Sequence, residues 1–143
     1  MISQTSEYAL RAVVAIARES KPLATAQIAE VAHVPVGYLH KVLQQLTRSG
    51  LLLSQRGLNG GYRLAVSPES LNVLQVVNAV DPPKRIVRCP LGLAEHREHL
   101  CLLHQRIDDA FAAVEKAFAE TTIIELITDH QHPPALGRTR SKS

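Results

Sequence analysis

The sequence predicts a mainly α-helical chain with one small β-hairpin, and three observations predict it. Apolar residues recur at helical spacing through the first fifty positions and again after residue 99. Two short strand-like runs flank a glycine-rich turn between residues 51 and 66. Apolar residues make up 45% of the chain but aromatics only 3%, so the core is aliphatic.

The first helix is predicted over residues 4–19. Ala9, Ala12, Val13, Ile16 and Ala17 form one apolar stripe, and Pro22 ends it. Glu7 falls in its first turn, where the helix dipole favours a carboxylate. A short second helix follows, with Thr25 as its cap and Ile28, Val31 and Ala32 facing inward. Val34-Pro35-Val36 makes a turn, and Pro35 suits the first position of a third helix. There Leu39, Val42, Leu43 and Leu46 form an i, i+3, i+4, i+7 face, and Gly50 stops it. The opposite face carries Gly37, His40, Lys41, Gln44, Gln45 and Arg48. Two short helices joined by a tight turn, the second polar and basic outside, make a helix-turn-helix.

Strand-like runs Leu51–Gln55 and Tyr62–Val66 then enclose Arg56-Gly57-Leu58-Asn59-Gly60-Gly61, whose Asn-Gly pair is a hairpin signal. A hairpin directly after a recognition helix is a wing, with Arg56 and Arg63 placed to meet phosphates or a narrow minor groove. No Lys-Ser/Thr pair follows these glycines, which argues against a nucleotide-binding loop. A fourth helix is predicted over Val73–Val80, with Leu74, Val77 and Val80 inward and Asp81-Pro82-Pro83 as its end. A long helix runs from about His99 to about Glu120, with a heptad-like seam of Ile107, Phe111, Val114 and Phe118, widened by Ala110 and Ala117. It is expected to pack against helix one and against its own copy in a second subunit. Thr121 or Thr122 caps a last turn bearing Ile123, Ile124, Leu126 and Ile127.

The chain thus divides into a winged helix-turn-helix over 1–83, a loop over 84–104, a dimerisation helix with its terminal turn over 99–128, and a disordered tail over 129–143. Charge follows the same division. Residues 1–66 hold seven Lys or Arg against three acids, and residues 67–137 hold six against ten. A basic amino-terminal module suits a polyanionic partner such as duplex DNA. No apolar run approaches the ~20 residues of a membrane span. The first twenty residues carry Glu7, Arg11, Arg18 and Glu19, which does not fit a secretory signal and predicts a cytoplasmic protein.

Both cysteines lie in the loop: Cys89 and Cys101, twelve positions apart, with His104 three residues further on. Two thiolates and an imidazole form a ligand set for zinc or iron–sulfur iron. Free cysteine is often just a small buried hydrophobe. However, Cys89 stands between Arg88 and Pro90 in a stretch with no apolar period, and a reducing compartment disfavours a disulfide. His96 and His99, three apart, form a second zinc candidate if they share a helix face. His130 and His132 carry less. No nucleophile–base set or zinc-protease helix motif appears, so an enzyme is not expected, and neither is a small organic substrate.

The wing run Ser54-Gln-Arg-Gly-Leu-Asn-Gly-Gly-Tyr-Arg-Leu-Ala65, preceded by Gly37-Tyr-Leu-His-Lys-Val-Leu43, resembles the Rrf2 family of winged-helix transcription regulators, over roughly residues 1–128. The resemblance implies a homodimeric regulator binding a near-palindromic operator. It places Thr25, Gly37, Tyr38, His40, Lys41, Gln45 and Arg48 of the reader, and Arg56, Asn59, Gly60 and Arg63 of the wing, against DNA. Cluster-binding members carry three equally spaced cysteines before the dimer helix. Here Cys89 and Cys101 match the outer two, Glu95 stands at the middle, and His104 falls where the IscR type has a histidine ligand. Glu7 matches the carboxylate that NsrR and RsrR types supply from the partner subunit. The set is therefore closest to the RsrR type: a 2Fe–2S cluster on Cys89, Cys101, His104 and Glu7, with Glu95 as the alternative fourth ligand. His40 replaces an acid that helps the IscR type select its operator. Two alternatives stay open: a cluster-free regulator using a cysteine thiol switch or zinc, and a winged-helix module that binds protein.

Overall fold

The first helix, α1 (Gln4–Ala17), is the centre of the molecule because it is apolar on nearly every side: Ala9, Ala12, Val13, Val14, Ala15 and Ile16 are all buried. Ser3 caps it, its Oγ accepting the Ser6 N–H at 3.1 Å. The computed structural model describes residues 2–138. After α1 come α2 (Thr25–Ala32), α3 (Val36–Arg48), a hairpin of β1 (Leu52–Gln55) and β2 (Gly61–Leu64), α4 (Val73–Val80), a 3₁₀ turn (Ala94–His96), α5 (Leu102–Ala119) and α6 (Ile123–Thr128). This is the mainly helical winged architecture expected, with α1 packed against α2, α3, α4, α6 and β2.

The reader forms much as its pattern requires. Leu39, Val42, Leu43 and Leu46 of α3 are fully buried, and burying each such leucine contributes about 1.5–3 kcal/mol. Gly50, at φ +79°, ends the helix. Several details differ from the pattern. α1 stops at Ala17, five residues short of Pro22. Thr25 is the first residue of α2 rather than its cap; the cap is Ala24, whose N–H donates to Gln27 Oε1 at 3.0 Å. Ala29 is buried where Val31 was expected, and Val31 is exposed, because the face toward α1 is one step rotated. Pro35 precedes α3 as its cap residue. Between α2 and α3, His33 adopts the left-handed conformation at φ +53°, and the Val34 N–H closes back on Ala29 C=O at 3.1 Å.

The hairpin pairs Leu52 with Leu64 and Gln55 with Gly61, leaving a five-residue loop at 56–60. Asn59-Gly60 is therefore not a two-residue hairpin turn. Instead the Gly60 N–H reaches Gly57 C=O at 3.0 Å, and Asn59 keeps a negative φ. Leu23 adds a third pairing, exchanging hydrogen bonds with Tyr62 at 3.0 and 2.8 Å. Gly61 is required there, since a Cβ on it would overlap the Leu23 carbonyl.

Asn72 and Gln75 cap α4 reciprocally, and its deepest residues are Val73, Val76 and Val77, with Leu74 and Val80 only half-buried. α5 begins after Cys101, not at His99, and packs on α4 rather than on α1, whose flank is taken by α6. Its seam residues Phe111, Val114 and Phe118 are half-buried, and Ile107 is exposed. Thr122 caps α6, accepting the Glu125 N–H at 3.3 Å. The predicted tail turns back at Pro134–Gly137: Leu136 packs on the core, and Arg18 Nη2 donates to Gly137 O at 3.1 Å. Residues 139–143 of that tail lie outside the described residues.

Candidate metal centre and nucleic-acid interface

The loop between α4 and α5 is anchored by charge before it reaches the cysteines. Arg85 forks onto Asp108, Nε to Oδ1 at 2.7 Å and Nη2 to Oδ2 at 2.8 Å, while the Ile86 N–H donates to Asp108 Oδ1 at 2.9 Å. Glu115 takes Arg85 Nη1 at 3.5 Å. The Arg85 guanidinium, then the Ile86 N–H, hold the Asp108 carboxyl down at about 2. Asp108 is the buried residue of α5, and its ion pair ties this helix to the loop beside the half-buried Phe111 and Val114. Neither partner stood out in the sequence, because 23 residues separate them.

Past this anchor, Cys89 opens a turn in which the Gly92 N–H returns to Cys89 O at 3.0 Å and Gly92 takes φ +65°. The 3₁₀ turn then brings His96 back, and its Nδ1 lies 3.4 Å from Cys89 Sγ. The Leu93 N–H, then the His96 ring and the Leu91 N–H, pull the Cys89 thiol down to about 7. At the far end Cys101 is the cap residue of α5, and His104, one turn in, sets Nδ1 3.2 Å from Cys101 Sγ. Two Cys–His pairs thus stand here, one within the loop and one where it enters α5. Both cysteines are free thiols and half-buried. Among the described residues no three His, Cys, Asp or Glu side chains converge as a metal-holding group.

The other nominated donors stand apart from these pairs. Glu95 is exposed on the 3₁₀ turn, with no side-chain hydrogen bond or ion pair among the described residues. Glu7 is paired with Arg11 Nε at 3.1 Å. Arg11 also lies over the Tyr8 ring at 5.4 Å and donates to His33 O at 3.2 Å, at the turn of the reader. His99 is exposed beyond the 3₁₀ turn, so His96 and His99 share no helix face. Sequence reasoning missed the pairing of His96 with Cys89. The signal was Cys89-Pro90-Leu91-Gly92, a turn tetrapeptide that reverses the chain. Two thiolates and two imidazoles fit iron–sulfur iron or zinc by chemistry.

On the reader, Gly37, His40, Lys41 and Arg48 are exposed on α3, and Gln45 and Thr25 are half-buried beside them. On the wing, Arg56, Asn59 and Arg63 are exposed, Gly60 is half-buried, and Leu58 at the tip touches nothing. Lys41, Arg48, Arg56 and Arg63 have no ion pair among the described residues, leaving four cations free to meet phosphates. Tyr38 differs from the rest. Its hydroxyl bonds Thr5 Oγ1 and its ring meets Tyr8 edge-on at 5.1 Å, which ties it toward α1. No helix among the described residues is long and apolar enough to cross a membrane.

Residues 2–129 match the family described as iron-dependent transcriptional regulators, Rrf2. The chain is 27% identical over 132 residues to the HTH-type transcriptional regulator IscR of Aliivibrio salmonicida, covering 91% of this chain and 79% of that one. It is 26% identical over 143 residues to the regulator NsrR of Halalkalibacterium halodurans, covering 94% and 95%. The solved structure of CymR, the global cysteine regulator of B. subtilis, superposes with a TM-score of 0.74 at 23% identity, over 88% of this chain and 95% of that one, and so shares the fold.

Proposed function

The chain belongs to the Rrf2 family of transcriptional regulators, and on that premise we propose that it is a homodimeric DNA-binding repressor or activator governed by a 2Fe–2S cluster on the loop before α5. Its relatives are regulators of transcription, not enzymes. The observation that carries the cluster reading is the pair of Cys–His contacts, Cys89 with His96 within the loop before α5 and Cys101 with His104 at the start of that helix. Cys89, Cys101 and His104 serve as ligands, and the sequence nominates Glu7 of the partner subunit or Glu95 for the fourth place. When bound, such a cluster supplies one-electron redox chemistry, at a potential raised by neutral imidazole ligands. A cytoplasmic location belongs to the same reading, since free thiols suit a reducing compartment.

The chain's own residues carry the rest. Gly37, His40, Lys41 and Gln45 on α3 meet base edges and phosphates in the major groove, with Tyr38 at their margin. Thr25 and Arg48 contact the flanking backbone, and Arg56, Asn59, Gly60 and Arg63 follow the backbone or minor groove. Homodimerisation is supported by Leu103, Ile107, Phe111 and Val114, one stripe of α5 that its own chain leaves wholly or partly uncovered. A two-fold dimer reads a near-palindromic operator with half-sites about one helical turn, or a multiple of it, apart. Arg11 links Glu7 to the carbonyl of His33, so a change at Glu7 reaches the turn of the reader directly.

The test is air-free purification with an iron and sulfide count and an absorption spectrum, followed by a shift assay on genomic fragments at graded salt. Two irons and two sulfides per chain, with salt-sensitive DNA binding that changes on reduction, are expected. A second reading has one observation in its favour. Cys89, whose thiol the Leu93 and Leu91 amides and the His96 ring pull down to about 7, suits a thiol switch or zinc. Colourless air-free protein with two titratable thiols, or with bound zinc, selects that reading.

A further inference from the structure

We infer that His96 is the fourth protein ligand, so that Cys89 with His96 holds one iron and Cys101 with His104 the other, all from a single chain. The inference rests on the cluster reading above. Two donors on one tetrahedral first-row ion, with metal–sulfur near ~2.3 Å and metal–nitrogen near ~2.1 Å, stand about 3.6 Å apart. The two sulfur–nitrogen separations are 3.4 and 3.2 Å, so each pair already has nearly the spacing of two ligands on one metal.

Two unrelated local devices create this spacing. Cys89 and His96 meet because a turn and a 3₁₀ turn reverse the chain, with the Gly92 N–H on Cys89 O and the His96 N–H on Leu93 O, both at 3.0 Å. Cys101 and His104 meet because a cap residue and the third residue of its helix lie on one face. Among the described residues no three such donors converge, so loading has to draw the two pairs together. A single ion would need its protein ligands gathered together. In a 2Fe–2S centre each iron takes two protein ligands beside the bridging sulfides, so two Cys–His pairs supply the required number and kind of donors.

The competing carboxylates are less well placed in this chain. Glu7 is engaged by Arg11. Glu95 precedes His96 in a 3₁₀ turn, where successive side chains are about 120° apart, so the turn that directs His96 to Cys89 directs Glu95 elsewhere. Two thiolates and two neutral imidazoles also leave the site with one negative charge fewer than a set containing a carboxylate.

The experiment is air-free reconstitution of the full chain with ferrous iron and sulfide. Iron and sulfide are counted, and nitrogen hyperfine couplings are read by pulsed EPR on the reduced protein. Wild type is expected to show two inequivalent coupled nitrogens, and His96→Cys to keep two irons per chain with only one. His96→Ala is expected to lose at least half of its iron while far-UV circular dichroism stays unchanged. One coupled nitrogen in wild type, with iron lost in Glu7→Gln or Glu95→Gln, gives the place to a carboxylate and overturns the inference while the cluster reading stands. Wild type that takes up no iron and sulfide overturns both.

Discussion

At Cys89 the backbone does what a charged neighbour usually does. The Leu93 and Leu91 amides and the His96 ring favour the thiolate, and no lysine or arginine takes part. Alkylation of Cys89 in iron-free protein should therefore follow a titration centred near pH 7, rising with pH as the thiolate forms, against about 8.5 for an ordinary thiol. Rates by mass spectrometry across pH 5–10 check this, and a midpoint no lower than that of an ordinary thiol would remove the turn's effect on Cys89. Arg56, exposed and without an ion pair among the described residues, should behave as a phosphate contact. Arg56→Ala is expected to weaken DNA binding on all sequences and to reduce the salt slope by about one unit, read from affinities between low and moderate salt. Gly37 has open space where a Cβ would stand. Gly37→Ala should leave stability equal or raise it by up to about 1 kcal/mol. Weaker DNA binding alongside would show that the glycine serves the duplex rather than the fold.

Among the elements, α3 and α5 differ in what they bury. α3 buries a complete leucine and valine face, so Leu43→Ala should cost about 2–5 kcal/mol by urea unfolding. α5 is fastened to its loop through Asp108 and Arg85 instead. The folded Asp108 carboxyl, held at about 2, lies below its unfolded value near ~3.9. Its contribution is complete above the unfolded value and is lost as pH falls through the folded one. Thermal midpoints should decline between pH 4 and pH 2, and Asp108→Asn should flatten that decline. An unchanged acid limb in the variant would place the sensitivity in other carboxylates.

At the scale of the molecule, α1 touches the reader and α5 begins at the second cysteine. α1 carries Glu7 and Arg11 and touches α3 through Thr5, Tyr8 and Tyr38. α5 starts at Cys101 and leaves an apolar stripe open. Ile107→Glu should convert the proposed dimer to monomer by sedimentation and weaken operator binding at least tenfold, because each reader would then bind alone. A coupling of about 1–3 kcal/mol between loop and reader would change operator affinity roughly 5- to 150-fold. Shift assays on loaded and iron-free protein measure it.

What the residues determined alone is what neighbours in the chain decide. The i, i+3, i+4 face of α3, the stop at Gly50 and the cap at Thr122 depend on contacts within one or two turns, and they stand where the pattern places them. The element order of reader, wing, loop and long helix was legible for the same reason. Tertiary structure decided the rest. The reversal at Cys89–Gly92 chose His96 as the partner of Cys89, and the Arg85–Asp108 fork fastened α5 to the loop before it. Leu23 chose Gly61 by lying too close for a side chain. Those choices join residues far apart in the chain, whose encounter depends on which surfaces remain uncovered once the local elements have formed, and no local pattern records that.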